Sequence, residues 1–202
     1  MPDPRFAKLV VFVNAVVPLS LLLWDGAFGS LGVNPVEFAI RTTGMLALIF
    51  LMLSLCVTPL RRITGVNYFS HFRRMLGLFA FFYGCVHLCL YFIFDRGFDL
   101  VRVVEDMLQR PFIFFGAAAL LLMLPLAITS TNKMIKRLGA MRWKRLHRLA
   151  YVAAWAGVGH YYLLVKADTR KPSGFAIALG ILLVFRLIYF LTHRPGAKAA
   201  VA

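Results

Sequence analysis

Acidic residues are scarce in this 202-residue chain: 8 Asp and Glu stand against 23 Lys and Arg, a formal net charge of +15. In a soluble protein such an excess would point to nucleic acid. Here the basic residues flank apolar runs, so membrane topology and anionic lipid headgroups explain them, and no nucleic-acid partner is expected. Cysteine is also sparse. The three cysteines, Cys56, Cys85 and Cys89, all lie in apolar runs and form no C-x-x-C. They read as small hydrophobes in helices. There is no P-loop, no G-x-G-x-x-G, no Ser-His-Asp order and no H-E-x-x-H. No connecting segment is long enough to hold a second domain. No internal repeat is visible, and the Ala-rich tail Ala197–Ala202 is the sole low-complexity stretch.

What the chain has in abundance is apolar sequence, 61% of its residues. That is more than a soluble domain carries, and it comes in blocks. Six segments approach the roughly 20 residues that a membrane span needs, at about 9–24, 42–57, 75–94, 112–129, 146–165 and 175–192. The first could serve as a cleaved leader, but the charge pattern favours a retained span. Pro18 and Pro125 fall inside spans, where neighbouring helices can accommodate them. The expected fold is therefore an all-α integral membrane protein with six transmembrane helices.

The connecting segments alternate in charge. Arg61, Arg62, Arg73 and Arg74 lie between the second and third spans. Lys133, Lys136, Arg137, Arg142, Lys144 and Arg145 lie between the fourth and fifth. The other connections are mixed or acidic, with Asp25 and Glu37 in one and Asp95, Asp99, Glu105 and Asp106 in another. The positive-inside rule then places the basic segments, residues 1–8 and residues 193–202 on the cytoplasmic side. The loop 166–173, with Lys166, Arg170 and Lys171 against Asp168, is a mild exception on the outer side.

This topology gives each histidine a depth. His87 lies about twelve residues, roughly 18 Å, from the inner end of the third span. His160 lies about fourteen residues into the fifth. The two imidazoles are thus level, in the outer half of the membrane. Ionisable groups inside a membrane are costly and usually functional. Two facing imidazoles at one depth can hold a six-coordinate haem iron. His147 is expected at the inner end of the same helix as His160, either as an interfacial residue or as a ligand to an inner haem with His71 or His193 as partner. Thirteen residues turn a straight helix by about 220° net of full turns, so His147 and His160 would face different sides unless the helix bends. Arg186, within the sixth span, either snorkels or meets a propionate or a flavin phosphate.

Several motifs carry a resemblance. Arg73-Arg74-x-Leu76-Gly77-Leu78 leads into His87, and Arg110-Pro111 leads into Gly116. Thr129-Ser130-Thr131-Asn132, Leu138-Gly139, Trp143-x-x-Leu146-His147-Arg148-Leu149-x-Tyr151 and His160-Tyr161 follow. In order and spacing, over about residues 5–192, these resemble the MsrQ (YedZ) family, and more distantly the transmembrane domain of ferric reductases and NADPH oxidases. The resemblance implies a b-type haem electron-transfer subunit in the bacterial inner membrane, with four of its helices forming the haem-binding bundle. It implies one or two haems with His87, His147 and His160 as ligands, and an associated FMN. Electrons would come from quinol or a cytosolic flavin reductase and pass to a periplasmic molybdopterin enzyme, MsrP. The sulfoxide chemistry would lie on that partner. Competing readings are a self-contained ferric or oxygen reductase and a non-redox transporter.

Overall fold

The computed structural model describes residues 3–192, all helix and short connections. His193 and the expected cytoplasmic tail at 193–202 lie outside the described residues. The helices are α1 (Pro4–Ala27), α2 (Pro35–Thr64), α3 (Arg73–Leu90), α4 (Leu100–Gln109), α5 (Pro111–Ile128), α6 (Asn132–Leu138), α7 (Ala140–Leu146), α8 (Leu149–Leu164) and α9 (Arg170–Thr192). A 3₁₀ turn at Asn67–His71 precedes α3, and a π-helical turn at Tyr91–Asp95 extends it.

Local chemistry sets the helix starts. Asp3 and Asn34 cap α1 and α2 by accepting from the amides of Arg5 and Glu37, and each is followed by proline. Pro111 likewise opens α5. Proline suits a first helical turn because its missing donor would have been unpaired there. Gly65, with φ of 71°, ends α2 in the left-handed conformation that a side chain disfavours.

Among the described residues, five helices are long and apolar enough to cross a bilayer: α1, α2, α3 with its flanking turns, α5 and α9. The fifth expected span coincides with α8, whose 16 residues reach about 24 Å, short of the roughly 30 Å of a hydrocarbon core. The six-span count therefore rests on α8. The structure also corrects the expectation that His147 and His160 share one helix. α7 ends at Leu146, His147 and Arg148 form a turn, and α8 begins at Leu149. Both turn residues keep right-handed torsions, and i→i−3 bonds carry the chain from α7 into α8.

Two antiparallel pairs build the centre. Early α2 meets late α3, and Ser54 of α2 donates to the carbonyl of Arg73 at the start of α3. Early α5 meets late α8, and Thr129 at the end of α5 reaches His147 just before α8. α8 also touches α2 and α9, and α3 touches α5, so the pairs stand side by side. Ala153 and Ala154, both 0% exposed, let α8 sit close to its neighbours, the small-residue packing that helices in lipid use. Tyr83 and Leu55 fill the centre. Many of the remaining large apolar side chains are exposed, as a lipid-facing surface requires.

α1 is held to this core by Tyr83, whose hydroxyl donates to the Ala15 carbonyl at 2.7 Å. Tyr83→Phe removes that donor within the bundle. The variant is expected to lose about 0.5–1.5 kcal/mol of stability, read as an earlier thermal transition in detergent with the fold retained.

Candidate functional site

The two histidines expected to face each other do so. The His87 and His160 ring centres are 6.0 Å apart, with ring planes 80° to one another. His87 stands near the C-terminal end of α3 and His160 near the C-terminal end of α8. Each ring is tied by the same kind of bond. His87 Nδ1 donates to the Ile40 carbonyl at 2.8 Å, and His160 Nδ1 donates to the Phe112 carbonyl at 2.6 Å. A carbonyl only accepts, so both Nδ1 atoms carry the proton. In the neutral ring this leaves Nε2 bare, with its lone pair available to a metal.

The separation fits a shared metal. Two metal–imidazole bonds of about 2.0–2.1 Å, plus about 1.1 Å from each nitrogen to its ring centre, put ring centres roughly 6.3 Å apart. The residues present therefore suit an iron held between two axial imidazoles. Among the described residues no three His, Cys, Asp or Glu gather as a metal site, so the two imidazoles stand as a pair.

Glycine makes room for both rings. A methyl group at Gly44 of α2 would lie 2.9 Å from Nδ1 and Cε1 of His87. One at Gly116 of α5 would lie 2.8 Å from Nδ1 of His160. In the sequence Gly116 stands out only within a motif, and Gly44 does not stand out at all. Their spacing from Ile40 and Phe112, four residues in each case, is a faint signal that gains meaning once the ring partners are known.

His147 lies apart from this pair, at the opposite end of the bundle. Its ring stacks on Trp143, with centres 3.9 Å apart, and its Nε2 is 3.2 Å from the Thr129 hydroxyl. Trp143 in turn donates to the Thr129 carbonyl at 2.9 Å, so the indole holds the turn rather than facing lipid. Among the described residues no second imidazole contacts His147. His71, expected as a possible partner, is exposed on its 3₁₀ turn and contacts the Tyr68 carbonyl.

A cavity of about 150 Å³ opens beside His147, lined among others by Ser54, Arg73, Arg74, Ser130 and Trp143. It has two guanidinium groups and no carboxylate in its lining. Arg74 is steadied by Asn132, whose side-chain oxygen accepts from it at 2.6 Å. Arg186 neither snorkels nor enters this cavity. It donates to the Tyr151 hydroxyl and to the Leu55 carbonyl, tying α9 to α8 and α2.

At the end of the bundle that holds the facing pair, a polar cluster braces the start of α5. Sequence alone shows its members only as loop charges. Asp106 of α4, 8% exposed, accepts from the Tyr91 hydroxyl at 2.5 Å and pairs with Arg96 at 2.6 Å and Arg110 at 3.5 Å.

Residues 43–158, which cover most of both helix pairs and stop two residues short of His160, match the model of the family described as "Ferric reductase like transmembrane component". The chain is 46% identical to the protein-methionine-sulfoxide reductase heme-binding subunit MsrQ of Rhodospirillum rubrum, over 96% of this chain and 94% of the relative. It belongs to the MsrQ family. The MsrQ of Herminiimonas arsenicoxydans is 43% identical over 98% of this chain and 92% of its own length. That of Ralstonia nicotianae is 45% identical over 98% and 91%. Membership in this family agrees with a multi-pass, all-helical membrane protein. These relatives are named as heme-binding subunits.

Proposed function

We propose that this protein is the haem-bearing electron-transfer subunit of a methionine sulfoxide reductase system, with b-type haem held between His87 and His160. The observation that carries the proposal is the pair of carbonyl-tied imidazoles at 6.0 Å. When bound there, haem supplies one-electron transfer within the membrane. The chain's own part is to present two bare Nε2 atoms, exclude water with helices α2, α3, α5 and α8, and hold both rings at one depth.

The basic end of the bundle is the entry side. With six crossings and both termini in the cytoplasm, it faces the cytoplasm of a bacterium whose inner membrane houses the protein. Arg73 and Arg74 there suit an anionic group, because guanidinium forks pair with carboxylate and phosphate. This supports placing the second cofactor, an inner haem ligated by His147 or an FMN, at that end. The electron donor is quinol or a cytosolic flavin reductase. The acceptor is the periplasmic molybdopterin reductase MsrP, which carries out the sulfoxide chemistry. Among the described residues, the connections between helices are too short to house such chemistry.

The test is a spectrum followed by a turnover. Purified protein reduced with dithionite should show an α-band at about 560 nm, as bis-imidazole b haem does. A colourless protein, after expression with ample haem, would sink this reading and favour a transporter. Quinol-reduced protein should reoxidise when MsrP and a sulfoxide substrate are added together. Rapid reoxidation by ferric chelate or oxygen alone would instead identify a self-contained reductase.

A further inference from the structure

The two histidine environments are copies of one another, although the sequence shows no repeat. In the first, a carbonyl (Ile40) and a glycine four residues later (Gly44) sit on α2. The imidazole that meets them follows 47 residues after the carbonyl, on the antiparallel α3. In the second, Phe112 and Gly116 of α5 meet an imidazole 48 residues after that carbonyl, on the antiparallel α8. In both, the carbonyl accepts the Nδ1 proton while the glycine underlies the same ring edge. A bond on one ring nitrogen and a hard wall along that edge together define the ring's rotation about its own axis.

We propose that Gly44 with the Ile40 carbonyl, and Gly116 with the Phe112 carbonyl, are paired positioning clasps. They hold the two axial imidazoles nearly perpendicular and thereby set the electronic state of the haem iron. This rests on the haem reading above. The 80° between the ring planes is the juxtaposition that the two clasps produce together. Perpendicular axial rings leave the iron d-orbitals nearly degenerate, and a ferric low-spin haem then gives a highly anisotropic EPR signal with a large maximum g value. Parallel rings give an ordinary rhombic signal. The Nδ1–H···O=C bonds also raise the basicity of each ligand, which favours ferric iron and lowers the reduction potential.

Gly44→Ala and Gly116→Ala each drive a methyl group into a ring that cannot retreat without losing its carbonyl. Each variant should retain the b-type band while its maximum g value moves toward the rhombic range and its midpoint potential rises. Haem affinity should fall roughly 10–100-fold, the usual cost of disturbing a ligand's outer partner. Gly180→Ala, whose added methyl group meets nothing within 4 Å, is the control and should match the unsubstituted protein in all three.

The unsubstituted protein supplies a measurement that needs no variant to fold. Its ferric EPR spectrum should already be of the highly anisotropic type. A rhombic spectrum in a protein with a normal b-type band would overturn the clasps and leave the haem reading standing. The clasps fall equally if both glycine variants lose thermal stability but keep the parent g values and potential, since the glycines would then serve helix packing alone. Absence of any b-type band would instead overturn the haem reading itself.

Discussion

His87→Ala and His160→Ala are each expected to abolish the same b-type signal, with haem at that site falling more than about tenfold. His147→Ala should leave that signal in place, because His147 stands at the other end of the bundle and reaches Thr129 and Trp143 rather than either facing ring. Pyridine haemochrome content per mole of protein, with the reduced-minus-oxidised spectrum, measures both effects. The equal loss is the informative part. A six-coordinate haem needs both axial nitrogens, so either deletion leaves one imidazole facing a gap that alanine cannot reach. If His87→Ala kept its spectrum while His160→Ala lost it, the 6.0 Å pairing would not be the ligand pair. His147→Ala should show its effect elsewhere, as slower reduction by the donor with the His87–His160 band of the dithionite-reduced spectrum unchanged. The double substitution of His87 and His147 then separates one haem from two. Any b-type signal lost on adding His147→Ala to His87→Ala belongs to a second site.

The pairing itself is legible in the sequence, because it needs only span boundaries, a rise per residue and alternating loop charge. Those set His87 and His160 level to within a turn, and helix packing does the rest. The break at His147–Arg148 is not legible. Trp143-x-x-Leu146-His147 continues a helical pattern, and no Pro or Gly marks the turn. What ends α7 is tertiary: the indole of Trp143 bonds the Thr129 carbonyl and its ring stacks on His147. The two clasps are also hidden. Each half shares only a glycine and a histidine, and its third member is a backbone carbonyl, for which any residue type serves. Arg186 reads from sequence as a snorkelling or cofactor-binding group because its partner, a backbone carbonyl from a helix 131 positions away, has no sequence signature. Composition likewise cannot decide six spans from five, since α8 is apolar but short.

Asp106→Ala should be the most damaging change outside the histidines. Asp106 is the acceptor for Tyr91, Arg96 and Arg110, and its removal leaves the Tyr91 phenol with Arg96 alone and Arg96 with only the more exposed Asp95 at 3.2 Å. Breaking a fully buried ion pair costs about 3–5 kcal/mol. Arg96 is 21% and Arg110 49% exposed at their side chains, so solvent recovers part of that. A loss of about 2–3 kcal/mol is expected after this discount. Asp106→Asn should lose less, because the amide still accepts from Tyr91 or Arg96 through its oxygen. The effect should reach the ligand pair as well. Arg110 is the residue before Pro111, and Phe112, two residues on, supplies the carbonyl that fixes His160. Tyr91 lies one turn after His87 at the end of α3, so loosening this corner reaches both ligand helices, the His160 side through Arg110 and the His87 side through Tyr91. The unfolding transition of Asp106→Ala in detergent should therefore come earlier. Its residual haem should show a disturbed axial field, with Asp106→Asn lying between the alanine variant and the parent. A destabilised protein whose bound haem kept the parent EPR spectrum would show that the acidic corner serves stability and has no hold on either ring.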